Sequence, residues 1–228
     1  MGSKNKLKRF EENKTFANVI QPLREELLTD AFAYKGHWNE LYFKNDHPIV
    51  LELGCGKGEY SVGLAKRHPE KNFIGIDIKG ARFWRGAKTA LEGDINNVAF
   101  LRAQIELIEK CFAPDEVSEI WITFPDPQIK YKRTKHRLTN ESFLERYAHI
   151  LKPEGYIHLK TDSEFMHGYT LGLLHGAKHK VLYANHNIYN SDGVPTEVTE
   201  IKTFYEQFYL EQGKPITYIR FQISRDKD

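Results

Sequence analysis

The sequence predicts an α/β protein built on a doubly wound, mostly parallel sheet with helices on both faces. Three observations carry that reading. Short β-prone runs alternate with longer helix-patterned stretches from residue 49 onward. The early runs stop on glycine, aspartate or proline, and repeated strand–helix–strand units are what parallel sheets are made of. The chain has 228 residues, enough for one domain with its own core and room for a short extension.

Residues 1–20 are polar and basic at first, without a clear hydrophobic period. They are read as a basic arm, disordered or docking only on a partner. Residues 21–228 are read as a single domain. A short helix fits Pro22 to Leu28, where proline suits a helix start. Ile49 to Leu53 is the first strand and stops at Gly54. A helix over 58–68 ends before Pro69. Phe73 to Ile76 is the second strand, followed by a helix over 80–92 closed by Gly93. Val98 to Leu101 is the third, with a short helix near 105–111. Glu119 to Phe124 is the fourth, stopped by Pro125, and a helix over 140–151 ends before Pro153. Tyr156 to Lys160 is the fifth, with a helix at 163–175. Val181 to Tyr183 and Ile216 to Ile223 complete seven strands, with a helix near 201–212 between them.

Composition excludes several classes. Hydrophobic residues are 40% and charged residues 28%, and no apolar run approaches the roughly 18 residues of a membrane span. Cys55 and Cys111 are the only cysteines, too few for a disulfide framework and without zinc spacing, which fits a reducing compartment. The N-terminus lacks an apolar signal core. A cytoplasmic protein without a membrane partner is expected. His175 and His179 sit four apart, but no HExxH motif is present, and no metal is expected.

The first strand runs into Glu52-Leu53-Gly54-Cys55-Gly56-Lys57-Gly58. Glycines at alternate positions let the backbone turn sharply and approach a ligand, and the carboxyl edge of a doubly wound sheet is where nucleotide-like ligands bind. The spacing misses the dinucleotide fingerprint GxGxxG, and Glu52 would repel a phosphate. Asp77 ends the second strand, 19 residues after Gly58, where a carboxylate can bond both ribose hydroxyls. The third strand ends near Gln104, where an adenine could lie. Ribose, adenine, a cationic sulfonium and no phosphate describe S-adenosylmethionine.

The fourth strand ends in Phe124-Pro125-Asp126-Pro127. Two prolines hold the carboxylate of Asp126 in a restricted backbone. Residues 130–137 then hold five Lys/Arg and no acid. The whole chain carries 33 basic and 31 acidic residues, or +2; without that segment 28 face 31, or −3. Such a cluster binds nucleic-acid phosphates, and Tyr131 within it could stack on a base. Lys79, Arg82, Arg85 and Lys88 form a second stripe, read as a solvated helix face. Lys4, Lys6, Lys8 and Arg9 are a third candidate contact. Asp162 follows the fifth strand, and Thr203 with Glu206 has the pattern of a capping box.

Together the 51–58 loop, Gly75-Ile76-Asp77, Phe124-Pro125-Asp126-Pro127 with its basic tail, Thr161-Asp162 and Thr203 to Glu206 resemble the bacterial tRNA (guanine-N7)-methyltransferases, over about residues 45–225. The resemblance implies the class I methyltransferase (Rossmann-like) sheet of seven strands, S-adenosylmethionine as donor and a variable-loop guanine of tRNA as acceptor. It implies cofactor contacts at Glu52, Gly54, Cys55, Gly56, Gly58, Asp77, Gln104 and Asp126, with Asp126 also catalytic. It assigns substrate contacts to Lys130, Asp162, Thr203 and Glu206, turning the last two from a cap into base-binding residues. Lys132, Arg133, Lys135 and Arg137 are assigned to the RNA backbone. Gln128, Ile129 and Gln104 depart from the family pattern, where Trp, Pro or His, and an acid are usual. A class I methyltransferase for another base or a small molecule, and a non-catalytic RNA-binding protein on the same fold, are the alternatives. The oligomeric state is open between monomer and homodimer.

Overall fold

A computed structural model describes residues 2–225; residues 1 and 226–228 of the segments read above lie outside it. Eight strands form one sheet: β1 (Val19–Ile20), β2 (Ile49–Leu53), β3 (Asn72–Ile76), β4 (Val98–Leu101), β5 (Val117–Thr123), β6 (Leu151–Thr161), β7 (Lys180–Asn185) and β8 (Thr217–Gln222). Their order is β1-β4-β3-β2-β5-β6-β8-β7. The strands β1 to β6 pair in parallel, and β8 runs antiparallel to both β6 and β7. The central strands β2 and β3 are buried at every position, as a sheet covered on both faces requires.

The helices are α1 (Gly2–Asn13), α2 (Arg24–Leu28), α3 (Glu59–Arg67), α4 (Gly80–Glu92), α5 (Ile108–Cys111), α6 (Glu141–Ile150), α7 (Glu164–Gly176), α8 (Thr196–Glu200) and α9 (Phe204–Glu211). Two apolar cores flank the sheet. One joins α2, α5, α6 and α7 to one face through Leu27, Ile108, Leu144, Ile150 and Leu174. The other joins α3, α4 and α9 to the opposite face through Tyr60, Leu64, Phe83 and Leu210.

Three elements differ from expectation. The seven expected strands are joined by β1, two residues that bond to β4 through Phe100 N to Asn18 O and Arg102 N to Ile20 O. Two residues carry no pattern a sequence could show. Residues 2–13, read as part of an arm, form α1. Tertiary contacts hold it rather than an apolar stripe: Trp84 Nε1 donates to Glu12 Oε2 at 2.6 Å, and Asn13 Nδ2 to Gly80 O at 2.9 Å. Lastly, β6 begins at Leu151, directly where α6 stops. Among the described residues no helix is long and apolar enough to cross a membrane.

Candidate active site

The carboxyl ends of β2, β3, β5 and β6 bring most of the expected site residues to one sheet edge. After β2 the chain turns through Gly54, Gly56 and Gly58, all at positive φ. A Cβ on Gly58 would lie 2.4 Å from the Phe100 ring, so this turn accepts no side chain there. The thiol of Cys55 is buried and burial raises its pKa; its backbone N–H donates to Ile76 O at 3.0 Å and its carbonyl accepts from Gly58 N at 2.8 Å, so the residue expected as a cofactor contact shapes the turn from within.

Asp77 closes β3 and is buried. Its Oδ2 accepts from Gly56 N at 3.2 Å and its Oδ1 from Lys79 N at 2.7 Å. One bond from each flanking loop fixes the carboxylate, while each oxygen keeps a further acceptor position. A cleft of about 250 Å³ opens beside it, lined by Gly54, Asp77, Ala103, Gln104, Ile105 and Phe143 among others. A second groove of about 340 Å³ shares Ile78, Ala103 and Gln104 and is walled by Pro22, Leu23, Arg24 and Leu27. Arg24 Nη1 donates to Gln104 Oε1 at 2.7 Å. The segment around α2 therefore shapes the cleft, which the sequence did not indicate. Ile78 is 47% exposed beside Asp77, a flat apolar seat next to a hydroxyl acceptor.

Glu52 is buried beneath the loop. Its Oε2 accepts from Ser61 N at 2.9 Å and Ser61 Oγ at 2.5 Å, and its Oε1 from Thr123 Oγ1 at 2.6 Å. Burial pushes its pKa up to about 7, against the pull of those bonds. It ties β2, α3 and β5 together under the glycine turn.

After β5 the chain enters the Pro125-Asp126-Pro127 turn. Asp126 is exposed, and its Oδ1 accepts from Gln128 N at 3.0 Å. Phe124 and Gln128, on either side, both have φ of 48°. That left-handed region is costly for a bulky non-glycine residue. Lys130, Lys132, Arg133 and Lys135 are exposed on the following turn at 131–136. Arg137 is not. It is buried, and its guanidinium donates to Gln128 O at 3.2 and 3.1 Å and to Ile129 O at 3.3 Å. The expected RNA-backbone contact at Arg137 is thus corrected: its charge is spent pinning the loop that carries Asp126.

Asp162 follows β6, half-buried; burial raises its pKa against the opposing pull of Lys214 Nζ at 3.8 Å. Thr203 caps α9, its Oγ1 accepting from Glu206 N at 3.2 Å. Glu206 is fully buried, and its oxygens take Lys160 Nζ at 2.7 and 2.9 Å and the Tyr189 hydroxyl at 2.7 Å. The cap expected from the residue pattern is present. The base contact at Glu206 is corrected, since both its oxygens are engaged inside the protein. Lys160 is equally buried; desolvation lowers its pKa to about 8 despite Glu206. No sequence signal marked Lys160 or Tyr189.

A further basic surface emerges on the other flank. The helix α1, with exposed Lys6, Lys8 and Arg9, packs along α4, which carries Arg82, Arg85 and Lys88. Arg9, Arg85 and Lys88 all lie within 5.5 Å of the Trp84 ring. The Lys4 side chain lies outside the described residues.

Comparison with known proteins agrees with this geometry. Residues 46–219 match a family described as "Putative methyltransferase". The chain is 73% identical to the tRNA (guanine-N(7)-)-methyltransferase of Christiangramia forsetii, over 98% of this chain and all of the relative. It is 49% identical to the protein of that name from Bacteroides thetaiotaomicron, over 98% of this chain and 87% of the relative. Among solved structures, the 16S rRNA methyltransferase KamB superposes with a TM-score of 0.62 at 15% identity, covering 83% of this chain and 93% of that one, a likeness of fold.

Proposed function

The chain belongs to the family of the tRNA (guanine-N(7)-)-methyltransferases, and from that premise we propose that it methylates N7 of a guanine in the variable loop of tRNA, with S-adenosylmethionine as donor. The observation that carries this reading is a juxtaposition. The Asp77 cleft, the exposed Asp126 and the cations of 130–135 share one sheet edge.

The residues present fit the cofactor. Asp77 offers acceptors suited to ribose hydroxyls, the glycine turn leaves room, and Ile78, Ala103 and Ile105 offer apolar contact to an adenine. Gln104 can bond a base edge once Arg24 yields or shares it. When bound, S-adenosylmethionine supplies an electrophilic methyl group on a sulfonium.

Guanine N7 carries a lone pair and no proton, so no general base is required. What the chain supplies is position and charge. Asp126, held by its turn, faces the ring that becomes cationic as N7 is methylated. Asp162 and the cap residue Thr203 line the side toward α9, and Lys130, Lys132, Arg133 and Lys135 hold phosphates. Such an enzyme works where tRNA is, in the cytoplasm. The test is incubation with labelled S-adenosylmethionine and unmodified tRNA, followed by nucleoside analysis. Labelled 7-methylguanosine is expected; label in another nucleoside, or none, would overturn the reading.

A further inference from the structure

Beside the Asp126 loop, a groove of about 590 Å³ runs between residues 129–137 and the first turns of α7. Ile129, Tyr131, Phe165 and Tyr169 wall it, and Gly168 lies between the two α7 rings. Tyr131 is 92% exposed, Ile129 67% and Phe165 42%. Three large apolar side chains grouped at such exposure mark a contact surface rather than ordinary surface scatter. Gly168 adds a second sign. A Cβ there would meet nothing within 4 Å, so packing does not require glycine, although glycine inside a helix costs roughly 0.5–1 kcal/mol relative to alanine. Its effect is to leave the groove open.

The α7 wall of the groove is tied to the loop. The Arg137 guanidinium lies 4.8 Å from the Phe165 ring centroid and 4.4 Å from that of Tyr169, and it bonds the backbone of Gln128 and Ile129. The two rings are 17° from parallel. One buried cation therefore fastens the aromatic wall to the loop bearing Asp126.

We propose that this groove is a second nucleobase subsite, stacking an unpaired base of the tRNA near the target guanine. The inference rests on the functional reading above. Charge selects the occupant: flat apolar walls sit beside the exposed cations Lys130, Lys132, Arg133 and Lys135. That is the pattern of a base flanked by its phosphates. Glu164, on the α7 rim, repels phosphate, so the backbone lies on the loop side and the base points toward α7. Ile129 is three residues from Asp126, at most about 11 Å of chain, which places the stacked base within a nucleotide or two of the guanine.

Two substitutions test this without touching the residues assigned to methyl transfer. Tyr131→Ala removes a stacking face. Gly168→Leu fills the groove from open space, so the protein melts no lower than the parent. Each weakens equilibrium binding of unmodified tRNA by about 5- to 150-fold, the range of one lost base–aromatic stack. Tyr131→Phe binds as the parent does. Because no charge is removed, the slope of log Kd against log salt stays the same in all three. Binding by Gly168→Leu and Tyr131→Ala within twofold of the parent, or an altered salt slope, would overturn the subsite. Failure of the parent to form 7-methylguanosine would instead overturn the functional reading, while the binding comparison still reads out on its own.

Discussion

The Lys160–Glu206 pair gives the sharpest test of how this site is held. Both side chains are fully buried. Replacing Glu206 by alanine leaves the Lys160 ammonium with only Ile201 O at 3.2 Å and the Tyr60 ring at 5.2 Å. Removing one partner of a buried pair costs about 3–5 kcal/mol, because an uncompensated charge stays behind. In a domain of this size each kcal/mol moves Tm by about 2–4 °C, so Glu206→Ala should melt roughly 6–20 °C lower. The double replacement Lys160→Met with Glu206→Leu removes both charges and should recover most of that loss. Calorimetry of the parent, Glu206→Ala, Lys160→Met and the double variant, paired with steady-state methylation well below the lowest Tm, separates two roles. If Glu206→Ala melts within a few degrees of the parent yet loses turnover, the structural role is wrong and the carboxylate belongs on the base. If the double variant is as unstable as the sum of the singles, the pair is not the cause.

Three further outcomes are expected. Asp126→Ala should lower kcat by roughly 100-fold or more, as loss of an electrostatic group at a developing charge does, and leave tRNA affinity unchanged; normal turnover would remove Asp126 from the chemistry. Replacing Lys132, Arg133 and Lys135 together by glutamine should lower the salt slope of tRNA binding by about 2–3, whereas Arg137→Gln should leave the slope untouched. Glu52 titrates near 7 in the folded protein against an ordinary 4.5, so between those values the folded state binds more protons than the unfolded one. Its contribution to stability is fully present below about 4.5 and is lost as pH rises to 7, by about 3 kcal/mol. Urea titrations of the parent and Glu52→Gln across that window should diverge by that amount.

Much of this was legible in the sequence, for reasons that can be named. The strands β2 to β5 are β-prone runs cut off by Gly54, Asp77 and Pro125, and those same stops put the glycine turn, Asp77 and Asp126 on one edge. Local chemistry wrote that part, including the Thr203 cap. What failed was the inference from charge to exposure. Arg137 looks like its neighbours in a basic run, yet it is the member that turns inward to hold Gln128 O. Lys160 ends an apolar strand and Glu206 opens a helix; 46 residues separate them, and nothing short of the sheet–helix packing pairs them. The N-terminal helix escaped for a similar reason, since Glu12 and Asn13 find their partners on α4.

The left-handed backbone at Phe124 and Gln128 sets a trade-off between durability and rate. Each such residue costs on the order of 1–3 kcal/mol that the remaining fold must offset. At position 128 a glycine would adopt φ of 48° without that penalty. Selection for heat tolerance alone would therefore favour Gln128→Gly. The same change would let the Asp126 turn wander among more conformations, so that hardier descendants would be slower catalysts.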